Sequence, residues 1–359
     1  MPLPTMPAAS LLSFATALLI YLVAAPAHPQ CRVDTPRQLV NVDNDSLTGL
    51  GIDSSYTSGV RIERFAGADS PGTPIDGWIE RLTAGGLTDV CAPLDHAGGG
   101  LRSWYAAQDI YTPRNIRIAA PQPNDRPWAG ALYFGRGWET VGTRGQRLVM
   151  RRFDLAAGVI GDASLARQAQ RTVHRIIDAR QPRGWDNQLH NELAAAARYL
   201  ERQRWGDDRG DLIVHYGAML GSAIGYANGG ATLRYGRLGC EIATPGVTQH
   251  VLRISGRPFA AGGQNCDADS KALRYYGFIS ADLRAVGWNR LIDGEPRSGG
   301  SNVQAVHAVG DLRAGFAIGG RAWSIIYTVA RRSGEFRVAG QPRVKPASYA
   351  GITLSLDWP

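Results

Sequence analysis

The chain has 359 residues and a formal charge of +8, from 39 Lys+Arg against 31 Asp+Glu, and only Lys271 and Lys345 are lysines. An excess made almost wholly of arginine suits bidentate binding of phosphate, so a phosphorylated lipid surface is one candidate partner and a plain composition bias is the other explanation. No basic cluster is interleaved with aromatics, which excludes nucleic acid for an exported chain, and beyond residue 27 no stretch approaches the roughly 18 apolar residues of a membrane helix.

In chain order, the first element is Leu11 to Ala27, an apolar run ending in the small-residue triplet Ala25-Pro26-Ala27. That is the layout of a secretory signal peptide cleaved just before His28. No charged side chain precedes Leu11, so an uncleaved anchor is the alternative. Residues 1–27 are therefore set aside and 28–359 read as a single domain. Four cysteines suit an oxidising compartment; Cys31–Cys91 and Cys240–Cys266 are the preferred pairings because each closes a loop, and the spacing fits no zinc motif.

Strand-like segments follow near 37–44, 55–65, 101–111, 128–141, 145–158, 186–203, 211–226, 229–239, 272–288, 302–318, 321–332 and 347–358, an even count of twelve. The alternation is clean in several. Ile279, Ala281, Leu283 and Ala285 oppose Ser280, Asp282 and Arg284, and Leu312, Ala314, Phe316 and Ile318 oppose Arg313, Gly315 and Ala317. Apolar outside with polar or small residues inside is the requirement of a transmembrane β-barrel. Trp138, Trp288, Trp323 and Trp358, near strand ends, fit its interfacial girdles. A soluble sandwich shows similar alternation, but usually with shorter strands. The expected fold is all-β, a twelve-stranded antiparallel barrel in the outer membrane. The stretches 66–100, 240–270 and 289–301 read as loops.

One segment breaks the pattern. Arg167 to Glu192 reads as a polar helix between the fifth and sixth strands, lying over the barrel mouth. At 100° per residue Leu165, Ala169, Val173 and Ile176 share one face, and Gln170, His174 and Asp178 form a stripe on the other. That stripe either faces water or lines a cleft. His174 is a candidate general base, with Gln170 one turn earlier placed to bond a ring nitrogen and fix the tautomer. Most surface histidines have no role, and that reading stands beside it. No Gly-x-Ser-x-Gly elbow supports a serine nucleophile.

At the rim, Asn44-Asp45 ends the first strand and Thr57 opens the second. By parity Tyr56, Ser58, Val60 and Ile62 face out, and Thr57, Gly59, Arg61 and Glu63 face in, so a hairpin brings Asp45 and Thr57 together on the polar side. A carboxylate among oxygens suits Ca²⁺; an Asx turn is the structural alternative. Gln108-Asp109-Ile110-Tyr111-Thr112-Pro113 and Asp125-Arg126-Pro127-Trp128-Ala129-Gly130 bracket the next turn, and Arg114 and Arg117 add charge that can orient an anionic headgroup.

Taken in order, Asn44-Asp45, Tyr56-Thr57-Ser58-Gly59, the 108–113 and 125–130 motifs, Gln170-x-x-x-His174, the run 184–192 (GWDNQLHNE) and Asn228-Gly229-Gly230 with Arg234-Tyr235-Gly236 resemble the lipid A 3-O-deacylases of Gram-negative outer membranes. The resemblance implies a twelve-stranded barrel with an extracellular helix, and Ca²⁺-dependent hydrolysis of the ester at the 3-position of lipid A. It implies His174 as base, Asn44 and Gln170 in support, Asp45 and Thr57 at the metal, Arg114 and Arg117 near the lipid A phosphates, and a monomer acting on lipopolysaccharide. One departure stands out. Six residues after the histidine the family carries an acid, where this chain has Arg180; either Asp178 or Glu192 replaces it at the metal, or the metal site is weakened and activity is altered or lost. A non-catalytic lipopolysaccharide-binding barrel and an outer-membrane phospholipase are the rival readings.

Overall fold

Period-two alternation becomes a closed wall. In a computed structural model describing residues 30–31, 37–48, 55–65, 72–88, 101–145, 147–238, 261–262, 273–320, 322–341 and 346–357, twelve strands form one barrel. They are β1 (Arg37–Asn44), β2 (Ser55–Phe65), β3 (Leu101–Thr112), β4 (Ala129–Arg144), β5 (Arg147–Ile160), β6 (Glu192–Gly206), β7 (Gly210–Gly221), β8 (Ile224–Arg237), β9 (Arg274–Asn289), β10 (Ala308–Gly319), β11 (Trp323–Arg332) and β12 (Ala347–Asp357). Each pairs antiparallel with the next, and β12 returns to β1 with Ala350 opposite Asn44 and Asp357 opposite Arg37. Closure leaves no edge strand unpaired, which is what a hydrocarbon surrounding demands. The start of β1 and the end of β12 share one end of the barrel, called here the terminal end; Asn44 and Asp45 lie at the other, the far rim.

The twelve expected strands are these twelve, with shifts at their ends. The sixth begins at Glu192 rather than 186, because Trp185–Asn187 turns as a 3-10 helix and Leu189 bridges to Pro296. The tenth begins at Ala308 because Val303–Ala305 pairs instead with Phe336–Val338. Ile279, Leu283 and Leu312 are exposed on the outer face, while Ser280, Asp282 and Arg313 are buried inside. The lumen is filled by charge. Arg152 meets Glu63, Glu139 and Asp154, each at 2.6 Å, and Arg332, Arg284 and Arg313 converge on Asp311 at 2.6, 2.9 and 2.8 Å. Many of the arginines thus neutralise carboxylates inside the barrel.

Two helices lie on the outer wall. The stretch 66–100, read from sequence as loop, contains α1 (Pro74–Ala84). Its start carries the full local signal: Thr73 and Asp76 form a capping box, with Pro74 in the first turn. The helix expected over Arg167–Glu192 is shorter, α2 (Ala166–Ile176). It stops because Asp178 adopts φ 52°, letting the Ala179 amide donate back to the His174 carbonyl at 2.7 Å, the bond that closes a Schellman turn.

The seat of α2 is the outside of the rim. Gly130 on β4 has the parity of exposed Phe134, and a Cβ there would come within 2.1 Å of Ser164 Oγ and 2.3 Å of Ala166 Cβ. Gln108 and Ile110, outward on β3, complete the seat: Gln108 Nε2 donates to the Ser164 carbonyl at 2.6 Å, and Ile110 packs with Ile116, Trp128, Ala166 and Trp185. Of the expected girdle aromatics, Trp288 and Trp323 are partly exposed, whereas Trp138 is buried and donates to Asp76 of α1 at 2.7 Å. Trp358, the signal segment, Cys91, Cys240, Cys266 and the side chain of Cys31 lie outside the described residues.

Candidate active site on the outer rim

A β-bulge shapes the first group of candidate residues. Tyr56 pairs with Tyr111 and Ser58 with Ile110, so Thr57 is the extra residue and parity reverses there. Tyr56, expected to face out, points into the lumen, where its hydroxyl lies 3.3 Å from Asp43 and 3.4 Å from Asp109 and its ring meets Tyr111 and Tyr349. Thr57, expected to face in, turns outward and its hydroxyl lies 2.6 Å from that of Thr112. A period-two reading cannot register one inserted residue, which is why these two assignments invert. Asp45 and Thr57 do come together: the Asp45 amide donates to the Thr57 carbonyl at 3.2 Å. Asp45 is buried, and its own carbonyl accepts from the Thr48 hydroxyl at 2.8 Å. Asn44, half-buried, ends β1 opposite Ser58.

The second group is on the inner face of α2, where Ala166, Gln170 and His174 are buried. Leu165, Val173, Ile176 and Ile177 are exposed, so Gln170 and His174 of the polar stripe face protein, while the apolar stripe, apart from partly buried Ala169, faces away. Gln170 does not bond the histidine. Its Oε1 accepts from Trp185 Nε1 at 2.8 Å, while its Nε2 is buried without a partner among the described residues. The His174 ring is held instead by main chain, with Nδ1 2.5 Å from the Arg180 carbonyl oxygen. A carbonyl only accepts, so Nδ1 carries the proton and, in the neutral ring, Nε2 is left as the acceptor. The residue at the departure from the family pattern thus orients the histidine through its backbone, which its side-chain identity does not affect. No sequence signal announces a carbonyl.

The motifs hold this arrangement. Trp128 and Trp185 meet with ring centroids 5.0 Å apart and planes tilted by 55°, and a Cβ on Gly184 would meet the Trp128 indole at 2.5 Å. The Arg183 amide donates to Ile116 O and the Leu189 amide to Trp128 O, tying the segment after α2 to the 113–128 loop. Arg167 joins Asp186 at 2.9 Å. Arg114 and Arg117 are exposed in that loop, their amides held by Asp125 and Asn115. Asp178 is exposed, and Glu192 pairs with Arg290 at 2.8 Å.

Calcium binds hard oxygen ligands. Buried Asp45 supplies a carboxylate, and Thr57, whose carbonyl accepts from the Asp45 amide, supplies a hydroxyl and a main-chain oxygen of that kind. Among the described residues no three His, Cys, Asp or Glu side chains gather as a metal cluster, so an ion held there would need carbonyl, hydroxyl and water oxygens as further ligands.

Several comparisons bear on this geometry. The family model described as outer membrane protein LpxR matches residues 12–358. Among solved structures, LpxR from Salmonella typhimurium is similar with a TM-score of 0.66 and 19% identity, covering 90% of this chain and 100% of that one. The β domain of the Bordetella autotransporter BrkA follows at TM-score 0.41 and 10% identity, covering 91% and 100%. No curated protein sequence matches. With the match running from before the first strand to the last, the chain belongs to the outer membrane protein LpxR family, the lipid A 3-O-deacylases its motifs resemble.

Proposed function

We propose that this outer-membrane barrel hydrolyses the 3-O-acyl ester of lipid A, with His174 as general base. The observation that carries the reading is the His174–Arg180 bond, which leaves an unprotonated Nε2 on a helix at the lipid-facing rim. In the proposed reaction Nε2 takes a proton from water as its oxygen attacks the ester carbonyl. The C=O electrons move onto oxygen, for which Gln170 Nε2, buried and without a hydrogen-bond partner among the described residues, is the proposed donor. Collapse breaks the acyl C–O bond, and the imidazolium returns its proton to the departing 3-oxygen. The products are a free 3-hydroxy fatty acid and lipid A with a free 3-hydroxyl.

Asp45 and Thr57 are the residues proposed to hold Ca²⁺, with Asn44 supporting them and Asp178 as a further carboxylate close to the helix end. A calcium ion held there supplies Lewis acidity toward a carbonyl oxygen. Arg114 and Arg117, exposed on the adjoining loop, are proposed to meet the lipid A phosphates.

The test is mass spectrometry of lipid A from cells carrying the wild type or His174→Ala. The wild type shifts the mass by one acyl chain, and the variant leaves it unshifted while still giving a heat-modifiable barrel. Undiminished release by the variant removes the mechanism. No shift with the wild type favours a non-catalytic, lipopolysaccharide-binding barrel.

A further inference from the structure

Helix α1 is docked the opposite way from an amphipathic helix in water. Its polar side faces the wall: Asp76 accepts from Arg136 at 2.6 Å, Trp138 at 2.7 Å and Arg102 at 3.4 Å. At the other end Arg151 donates to the Thr83 and Gly85 carbonyls at 2.7 and 2.6 Å, a cation at a helix C-terminus. These wall partners are all on the outside of the barrel. Arg102 has the parity of exposed Trp104, Arg136 and Trp138 that of exposed Phe134, and Arg151 is next to luminal Arg152. The apolar side of the helix points away, with Ile75, Trp78 and Leu82 exposed by 56, 57 and 60%. Leaving three such side chains in water is unfavourable, because apolar surface gains free energy when it is removed from water.

We propose that α1 is a membrane-anchoring helix whose Ile75–Trp78–Leu82 stripe lies among glycerophospholipid acyl chains in the leaflet nearest the chain termini. Continuity is the first support, since Trp104, Phe134 and Ile62 on β2–β4 are exposed on the lipid face next to it. Spacing is the second. Gly130 under α2 and Trp138 under α1 are eight residues apart on β4 (138 − 130). At 3.4 Å per residue and a tilt near 40° that is about 20 Å along the barrel axis, close to the roughly 25 Å apolar band of such barrels. The two helices therefore bracket the band. Charge is the third. Arg81 and Arg64 are exposed near the helix, suited to reach headgroup phosphates with their stems on apolar surface.

The full chain, folded into phosphatidylethanolamine–phosphatidylglycerol vesicles with a fraction of acyl-brominated lipid, tests this. The wild-type emission minus that of Trp78→Phe isolates Trp78. Loss of most of that difference signal to brominated lipid, with none lost to aqueous iodide, is expected. Quenching by iodide alone overturns the proposal, and quenching by neither means that protein, a second copy or another part of this chain, covers the face. In the same vesicles Ile75→Asp/Leu82→Asp keeps every wall contact, so the barrel still folds. Amide exchange over 74–84 should rise severalfold; unchanged exchange overturns the anchor.

Discussion

His174 and Gln170 sit one turn apart on a helix, and sequence spacing invited a bond between them. The structure splits them: a backbone carbonyl holds the imidazole, and an indole N–H occupies the Gln170 oxygen, leaving its amide nitrogen available. Gln170→Leu should therefore lower kcat by about 10²–10³-fold, the range for one lost oxyanion donor. KM and the pH profile should be unchanged; a shifted pH profile instead would mean that Gln170 acts through the histidine. Asp178 stands where two roles meet, a left-handed turn and a carboxylate. Asn tolerates the same backbone conformation, so Asp178→Asn should keep the helix end and His174 orientation. If Asp178 is a ligand, the calcium concentration for half-maximal activity rises; an unchanged calcium titration assigns it to the turn alone.

At the level of elements, each helix is positioned by a polar face and exposes an apolar one. For α1 the anchor is Asp76. Burial pushes its carboxyl up, but bonds from Thr73 and Trp138 and the Arg136 charge outweigh this and hold it below the usual carboxylate range. A group whose pKa is lowered on folding contributes stability that is complete above the unfolded value, near 3.9, and lost as pH falls through the lower native value. Amide exchange over 74–84 should accordingly stay slow from neutral pH to about 4 and accelerate below it. Asp76→Asn should lack that acid step; the same step in both proteins would place the cause elsewhere. For α2 the seat is Gly130, where only a hydrogen fits under Ser164 and Ala166.

Across the whole molecule the lumen is a packed set of ion pairs rather than an apolar core. Arg152 is buried and serves three carboxylates. Arg152→Ala leaves Glu63, Glu139 and Asp154 without that cation, at a cost of about 3–5 kcal/mol. The temperature at which the folded band converts on gels should fall markedly, and no fall would mean that the charges rearrange. A lumen filled in this way is consistent with the proposed site lying on the outside wall.

What the sequence determined by itself was periodicity and local chemistry. Twelve strands, their faces and the family motifs were legible because alternation on a barrel wall is set strand by strand, whichever neighbours the strand finds. The capping box at Thr73 was legible too, though the loop-like composition of 66–100 hid it. Only the tertiary structure decided the rest. One bulge at Thr57 inverts two side chains, a main-chain carbonyl at Arg180 replaces a side-chain partner, and both helices rest on the outer wall with their polar faces inward. The physical reason is the solvent: in lipid the rule for which face of a helix is buried is reversed, and a single chain read in isolation does not say what surrounds it.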